Sequence, residues 1–124
     1  MRRSERNFTR GLVRGLAAGL LIATTAAAAS AQVVISQVYG GGGNSGATLK
    51  NDFIELHNNG TSAQSLDGWS IQYASSTGTS WSRLNLAGSI APGGYYLIQM
   101  AQGAGGTVNL PTPDATGTVA MSGS

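Results

Sequence analysis

Asn51-Asp52-Phe53-Ile54-Glu55-Leu56-His57-Asn58 is the stretch that decides the fold. Ile54 and Leu56 fall on one side of an extended chain, Glu55 and His57 on the other, which is the period-two alternation of a half-buried strand. The stretch runs into Asn59-Gly60, a pair that predicts a tight turn with positive φ. Asn59-Gly60-Thr61 also spells a glycosylation acceptor, but the turn accounts for the same residues and is the preferred reading.

Working outward, the same period recurs on both sides. Val33–Tyr39 is rich in β-branched residues, which favour a pleated surface, and it stops at Gly40-Gly41-Gly42-Gly43. Downstream, Trp69–Tyr73 places Trp69, Ile71 and Tyr73 on one face, predicted to lie in the core, with Ser70 and Gln72 opposite. Trp81–Leu86 brings Leu84 and Leu86 together. Ala91-Pro92-Gly93-Gly94 has proline second and glycine third, the order a type II turn needs. Tyr95–Met100 sets Tyr96, Ile98 and Met100 on one face. Thr107–Leu110 and Gly117–Met121 are the last strand candidates. Gly40–Gly46, Ser75–Ser80 and Gln102–Gly106 are short low-complexity stretches, read as loops and the first of them as a flexible one. Some seven short segments spaced by turns predict an antiparallel sandwich or barrel.

The charges divide the 124-residue chain in two. Five of seven basic residues (Arg2, Arg3, Arg6, Arg10 and Arg14) precede position 15; beyond residue 31 only Lys50 and Arg83 face Asp52, Glu55, Asp67 and Asp114, a net charge of −2. Nucleic-acid binding by that part is disfavoured, because phosphate recognition needs clustered Lys and Arg. The basic start, the apolar run Gly15–Ala23 and Ala29-Ser30-Ala31 form the pattern of a helical signal peptide over residues 1–31, with cleavage expected between Ala31 and Gln32. The apolar run is shorter than the roughly 20 residues of a spanning helix, so a membrane anchor is the lesser reading. Arg2-Arg3 lacks the apolar residues that a twin-arginine signal favours, so ordinary secretion is expected. With no cysteine, an exported domain takes its stability from its core rather than from disulfides.

Four ordered blocks together resemble the lamin tail domain of exported bacterial proteins: Val33–Tyr39 with its glycine run, Asn51–Asn58, Leu66–Tyr73 and Ile90–Ile98. The family-motif positions matched are Asp52, Phe53, Glu55, Asn58, Gly68, Trp69, Pro92, Gly93 and Tyr96. The resemblance implies an all-β, immunoglobulin-like antiparallel β-sandwich over 32–124, and a non-catalytic module. It also implies that bacterial modules of this kind often precede extracellular nucleases or phosphatases of the endonuclease/exonuclease/phosphatase type. Because the family domain runs past the position of Ser124 into a further core strand, the chain is expected to be incomplete at its C-terminus, possessing either a truncated copy or the front of such a hydrolase.

The residues themselves point away from catalysis. Gly40–Gly46 lacks the helix start and Lys-Ser/Thr of a phosphate-cradling loop. Asp52 and Glu55, three apart on a strand, face opposite ways and cannot work as an acid–base pair. Glu55 and His57 share a face, but one histidine and one carboxylate are too few for zinc, and a cross-strand polar contact is the better reading. Calcium could use Asp52, Asp67, Asp114 and backbone carbonyls, but these acids lack the alternating spacing of a calcium loop, so no cofactor is expected. No serine sits in Gly-x-Ser-x-Gly. Trp81 and Tyr95 point away from the apolar faces of their strands and are the candidates for a ligand-facing surface, for instance toward cell-wall sugars. The expectation is a secreted or periplasmic, non-enzymatic binding or positioning module, free of the membrane after cleavage, with its partner unidentified.

Overall fold

The computed structural model describes residues 19–24 and 32–123. All regular structure among them is extended: β1 (Val33–Tyr39), β2 (Asn51–Asn58), β3 (Gln64–Ser65), β4 (Ser70–Tyr73), β5 (Ser82–Asn85), β6 (Ser89–Ile90), β7 (Tyr95–Gln102) and β8 (Ala115–Thr116). Most of the leader expected over 1–31, including Ala31, lies outside the described residues. The six that are described, 19–24, form no helix and bond instead between residues two apart, Ile22 N–H to the Leu20 carbonyl at 3.1 Å and its two successors likewise. Among the described residues no helix is long and apolar enough to cross a membrane.

One four-stranded sheet, in the order β1-β2-β7-β8, forms the first layer. Two ribbons, β3 with β6 and β4 with β5, supply the second. The alternation read in the sequence settles which side of the sheet is covered. Ile54 and Leu56 of β2 and Tyr96, Ile98 and Met100 of β7 are all buried, and they meet Leu66, Leu86 and Ile90 from the second layer. Ile98 and Leu66 have no exposed surface at all. At roughly 25 cal/mol for each Å² of apolar surface removed from water, this shared interior is the main favourable contribution to the fold. Ile71, Tyr73 and Leu84 pack against its margin, as their alternation required.

Trp69 departs from the expected core placement. It is 43% exposed, because it closes a turn instead of belonging to the strand: its N–H donates to the Leu66 carbonyl at 2.9 Å, and β4 starts one residue later. A second departure is at Asn59-Gly60. Gly60 does not have positive φ, and β2 and β3 do not pair, each having partners elsewhere. The chain leaves the sheet through an Asx turn, in which Gly60 N–H donates to Asn58 Oδ1 at 2.8 Å. Gly60 stays glycine because a Cβ would collide with the Gln32 side chain. The proline turn is present: Gly93 has φ 68°, and Gly94 N–H donates to the Ala91 carbonyl at 2.9 Å.

The end of the chain also differs. Of Thr107–Leu110 only Val108 pairs, in a single parallel bridge to Leu49. The last strand is β8 rather than Gly117–Met121, and it lies parallel to β7. The cause is the long excursion between them, which carries the chain back to the beginning of β7 before it turns along the same direction. Asp114 fastens that return: its N–H donates to the Leu97 carbonyl at 2.8 Å and its Oδ2 accepts from Leu97 N–H at 2.7 Å. Beyond β8 the chain stays bonded to the sheet without forming a strand. Ala101 N–H donates to the Val119 carbonyl at 3.0 Å, and Met121 is buried in the core.

Candidate functional site: the outer face of the four-stranded sheet

The face turned away from the core carries the side chains that alternate with the buried ones. Phe53, Glu55 and His57 come from β2, with Tyr95, Leu97 and Gln99 opposite them on β7. Tyr39 and Gln37 of β1 lie beside Phe53 and Glu55. Cross-strand registry turns these neighbours into pairs. Tyr39 stacks on Phe53 with ring centroids 5.5 Å apart and planes at 26°. His57 stacks on Tyr95 at 4.3 Å and 28°. Tyr95 is 62% exposed, so its ring faces water as a platform above the sheet.

The polar groups on this face are each held by a neighbour. His57 Nδ1 lies 3.0 Å from the Gly94 carbonyl. A carbonyl only accepts, so Nδ1 carries a proton and donates it to Gly94. Glu55 meets Ser36, whose Oγ is 2.7 Å from Oε1 and 3.1 Å from the Glu55 carbonyl. Ser36 is the residue skipped where β1 and β2 shift register between Ile35 and Gln37, so the Glu55 contact pins a β-bulge. The polar contact expected of Glu55 and His57 is therefore made with β1 and with the chain before β7, and the two do not bind one another.

The acids considered for calcium are kept apart by the fold. Asp52, only 4% exposed, accepts Gly42 N–H through Oδ1 and Met121 N–H through Oδ2, both at 2.9 Å. Asp67 Oδ1 accepts Gly88 N–H at 3.0 Å, and Asp114 serves Leu97 as described. Each carboxylate joins two chain segments, and among the described residues no three acids or histidines converge. Two tyrosines respond to their surroundings. Tyr73 lies below the usual phenol range because Ser122 favours the phenolate, first through its side chain and then through its N–H, which donates to the Tyr73 oxygen at 2.9 Å. Burial, and after it the negative charge of Asp114, raises Tyr96, whose hydroxyl donates to the Ala87 carbonyl at 2.8 Å.

Other motif positions are architectural. Asn58 has no exposed surface; its Nδ2 donates to the Ser62 and Ile90 carbonyls, each at 2.9 Å, while Oδ1 holds Gly60. Gly68 (φ 81°) and Gly93 lie in turns, with Pro92 beside the latter. Gln32, on the expected cleavage bond, is already part of the domain: its carbonyl accepts Asn59 N–H at 2.6 Å and its Nε2 donates to the Ser62 carbonyl at 2.8 Å.

Trp81 and Tyr95 are both exposed, at 65% and 62%, but they do not form one surface patch. Trp81 stands just ahead of β5 in the second layer, and Tyr95 opens β7 in the first. The partner that Tyr95 does have, His57, was visible in the sequence only as Glu55's companion. Strand register makes the pair, and no local signal encodes register between segments so far apart in the chain.

A two-layer all-β module with its carboxylates engaged in tying chain segments together is the class this geometry defines. A family model of the lamin tail domain matches residues 26–122, and the chain belongs to that family. Neither the curated proteins nor the solved structures contain a match to the chain.

Proposed function

We propose that this lamin tail domain is an exported, non-catalytic module that binds or positions another molecule. The observation that carries the reading is the use made of the reactive side chains. Asp52, Asp67 and Asp114 each accept backbone N–H groups, Glu55 holds Ser36, and His57 is anchored to Gly94. General acid–base work needs such groups converging on one reacting centre. Here they are dispersed among separate joints. The outer face of the sheet, with the Tyr95 ring over His57, is the binding surface, and the basic leader supports export.

Two measurements test the reading. The purified chain should not hydrolyse DNA, RNA or phosphate esters with Mg²⁺ or Ca²⁺; metal-dependent turnover that survives repurification would overturn it. In a pull-down on insoluble cell-wall polysaccharide, Tyr95→Ala should weaken retention and Trp81→Ala should not. The alternative placement, as the front of an extracellular hydrolase, is decided by the codons after Ser124. An in-frame continuation carrying metal-binding carboxylates and histidines supports it.

A further inference from the structure

Asn59-Gly60 is the only Asn-Gly pair in the chain. In an unfolded polypeptide such a pair modifies itself. The backbone nitrogen that follows an asparagine attacks the carboxamide carbon, and a glycine, having no Cβ, hinders the approach least. A bond forms between Gly60 N and Asn59 Cγ, the Cγ–NH2 bond breaks, and the Gly60 amide proton leaves with that group as ammonia. Water then opens the cyclic imide at either carbonyl, leaving aspartate or isoaspartate at position 59. Asn59 is exposed on the loop after β2, so water reaches it. The reaction also needs a Gly60 nitrogen that can give up its proton and turn toward the Asn59 side chain.

The fold withholds that nitrogen. Gly60 N–H donates to Asn58 Oδ1 at 2.8 Å, which keeps its proton in place and ties its peptide plane to the preceding side chain. Asn58 has no exposed surface and is itself fixed by donating to the Ser62 and Ile90 carbonyls. From the other side, Asn59 N–H donates to the Gln32 carbonyl at 2.6 Å, and the Gln32 side chain fills the space a Cβ on Gly60 would take. We propose that Asn59 is a latent self-modification site, held unreacted by the Asn58 side chain and released when this corner opens. The change runs one way. Isoaspartate routes the main chain through its own Cβ and Cγ, one atom longer than before, so Gly60 N–H no longer meets Asn58 Oδ1. Asn58 also joins the end of β2 to Ile90 of β6 in the second layer. A corner that stays open long enough to react therefore does not close again as it was.

Incubation of the full chain at mildly alkaline pH tests this, with residue 59 followed by mass and isoaspartate content in peptide maps. The folded chain should convert at least about tenfold more slowly than the same chain in denaturing urea, because conversion then waits on local opening. Equal rates overturn the proposal. Asn58→Ala, which removes the acceptor, separates this guard from folding in general. Its urea transition gives the unfolded fraction, and conversion should run at least about tenfold faster than that fraction accounts for. Conversion that only tracks the unfolded fraction overturns the role of Asn58. Gln32→Ala keeps the question open to test should Asn58→Ala not fold. It removes the Gln32 bond to Ser62 but leaves the Gly60 bond to Asn58, so its rate should stay within about twofold of the parent. A tenfold rise would give the guarding role to Gln32 and overturn the assignment. Finally, chain carrying isoaspartate at 59, made in urea and returned to buffer, should melt at a lower temperature than the parent. An unchanged melt overturns the one-way step.

Discussion

Gly40–Gly46 and Ser75–Ser80 look alike in the sequence, both being small, polar and of low complexity. In the fold they are opposites. The first is wedged against a third such stretch, Gln102–Gly106, with Gly42 and Gly43 buried. Gly43 N–H donates to the Leu49 carbonyl at 2.8 Å and its own carbonyl accepts Gly105 N–H at 2.7 Å. A Cβ on Gly43 would collide with the backbone of Gly103, and one on Gly42 with Asn51. The glycines are absent side chains put to use, letting two backbones pass in direct contact. Ser75–Ser80, between β4 and β5, is exposed throughout, and its one internal backbone bond is Gly78 N–H to the Ser75 carbonyl at 2.9 Å. Composition alone does not separate a packed joint from a free loop. What separates them is whether another backbone lies within reach.

The sharpest way to break the contrast is Gly43→Ala. It combines positive φ (70°) with a backbone collision that no side-chain rotation relieves, so a loss of at least about 4 kcal/mol is expected, seen as the disappearance of a cooperative urea transition. If Gly43→Ala melts like the parent, the glycine joint is not packed as described. Next comes Asp52→Ala. It removes the buried acceptor for both Gly42 and Met121, and should cost about 3 kcal/mol, lowering Tm by roughly 12–24 °C for a domain of this size. Asp52→Asn should fall between this variant and the parent, because an amide keeps only one of the two acceptor positions.

The free loop should be forgiving. Gly78→Ala meets only the Ser75 hydroxyl, which can rotate away, and its effect should stay within about 0.5 kcal/mol. A two-residue Gly-Ser insertion after Thr77 should cost no more than about 0.6 kcal/mol. Limited proteolysis gives the mildest test: the first cut in residues 32–123 should fall within Ser75–Ser80, and an earlier cut in Gly40–Gly46 would reverse the assignment.

The same distinction explains what the sequence disclosed. β2 and β7 were legible because each has one wet and one dry face, and a period of two survives in any window that contains the strand. The turn at Pro92-Gly93 was legible because its backbone angles need those residues. Trp69 misled because its alternation with Ile71 and Tyr73 ends at a turn that only the Leu66 bond reveals. Asn59-Gly60 misled because Asn58, a fully buried neighbour, takes the glycine's N–H and replaces the hairpin with an Asx turn. The parallel direction of β8, the meeting of two glycine stretches some sixty positions apart and the stacking of His57 on Tyr95 depend on strand register. None of them leaves a local trace.

The amide of Asn58 has a consequence for motion. Gly60 and Gly93 lie outside the strands, where backbone protons ordinarily swap with deuterium quickly. Here Gly60 N–H is fixed to the Asn58 side chain and Gly93 N–H to its carbonyl at 2.9 Å, while Asn58 Nδ2 grips the Ile90 carbonyl below. Neither proton can be released unless the corner holding the two layers together opens, so these two loop positions should lose their label on the timescale of the innermost strands.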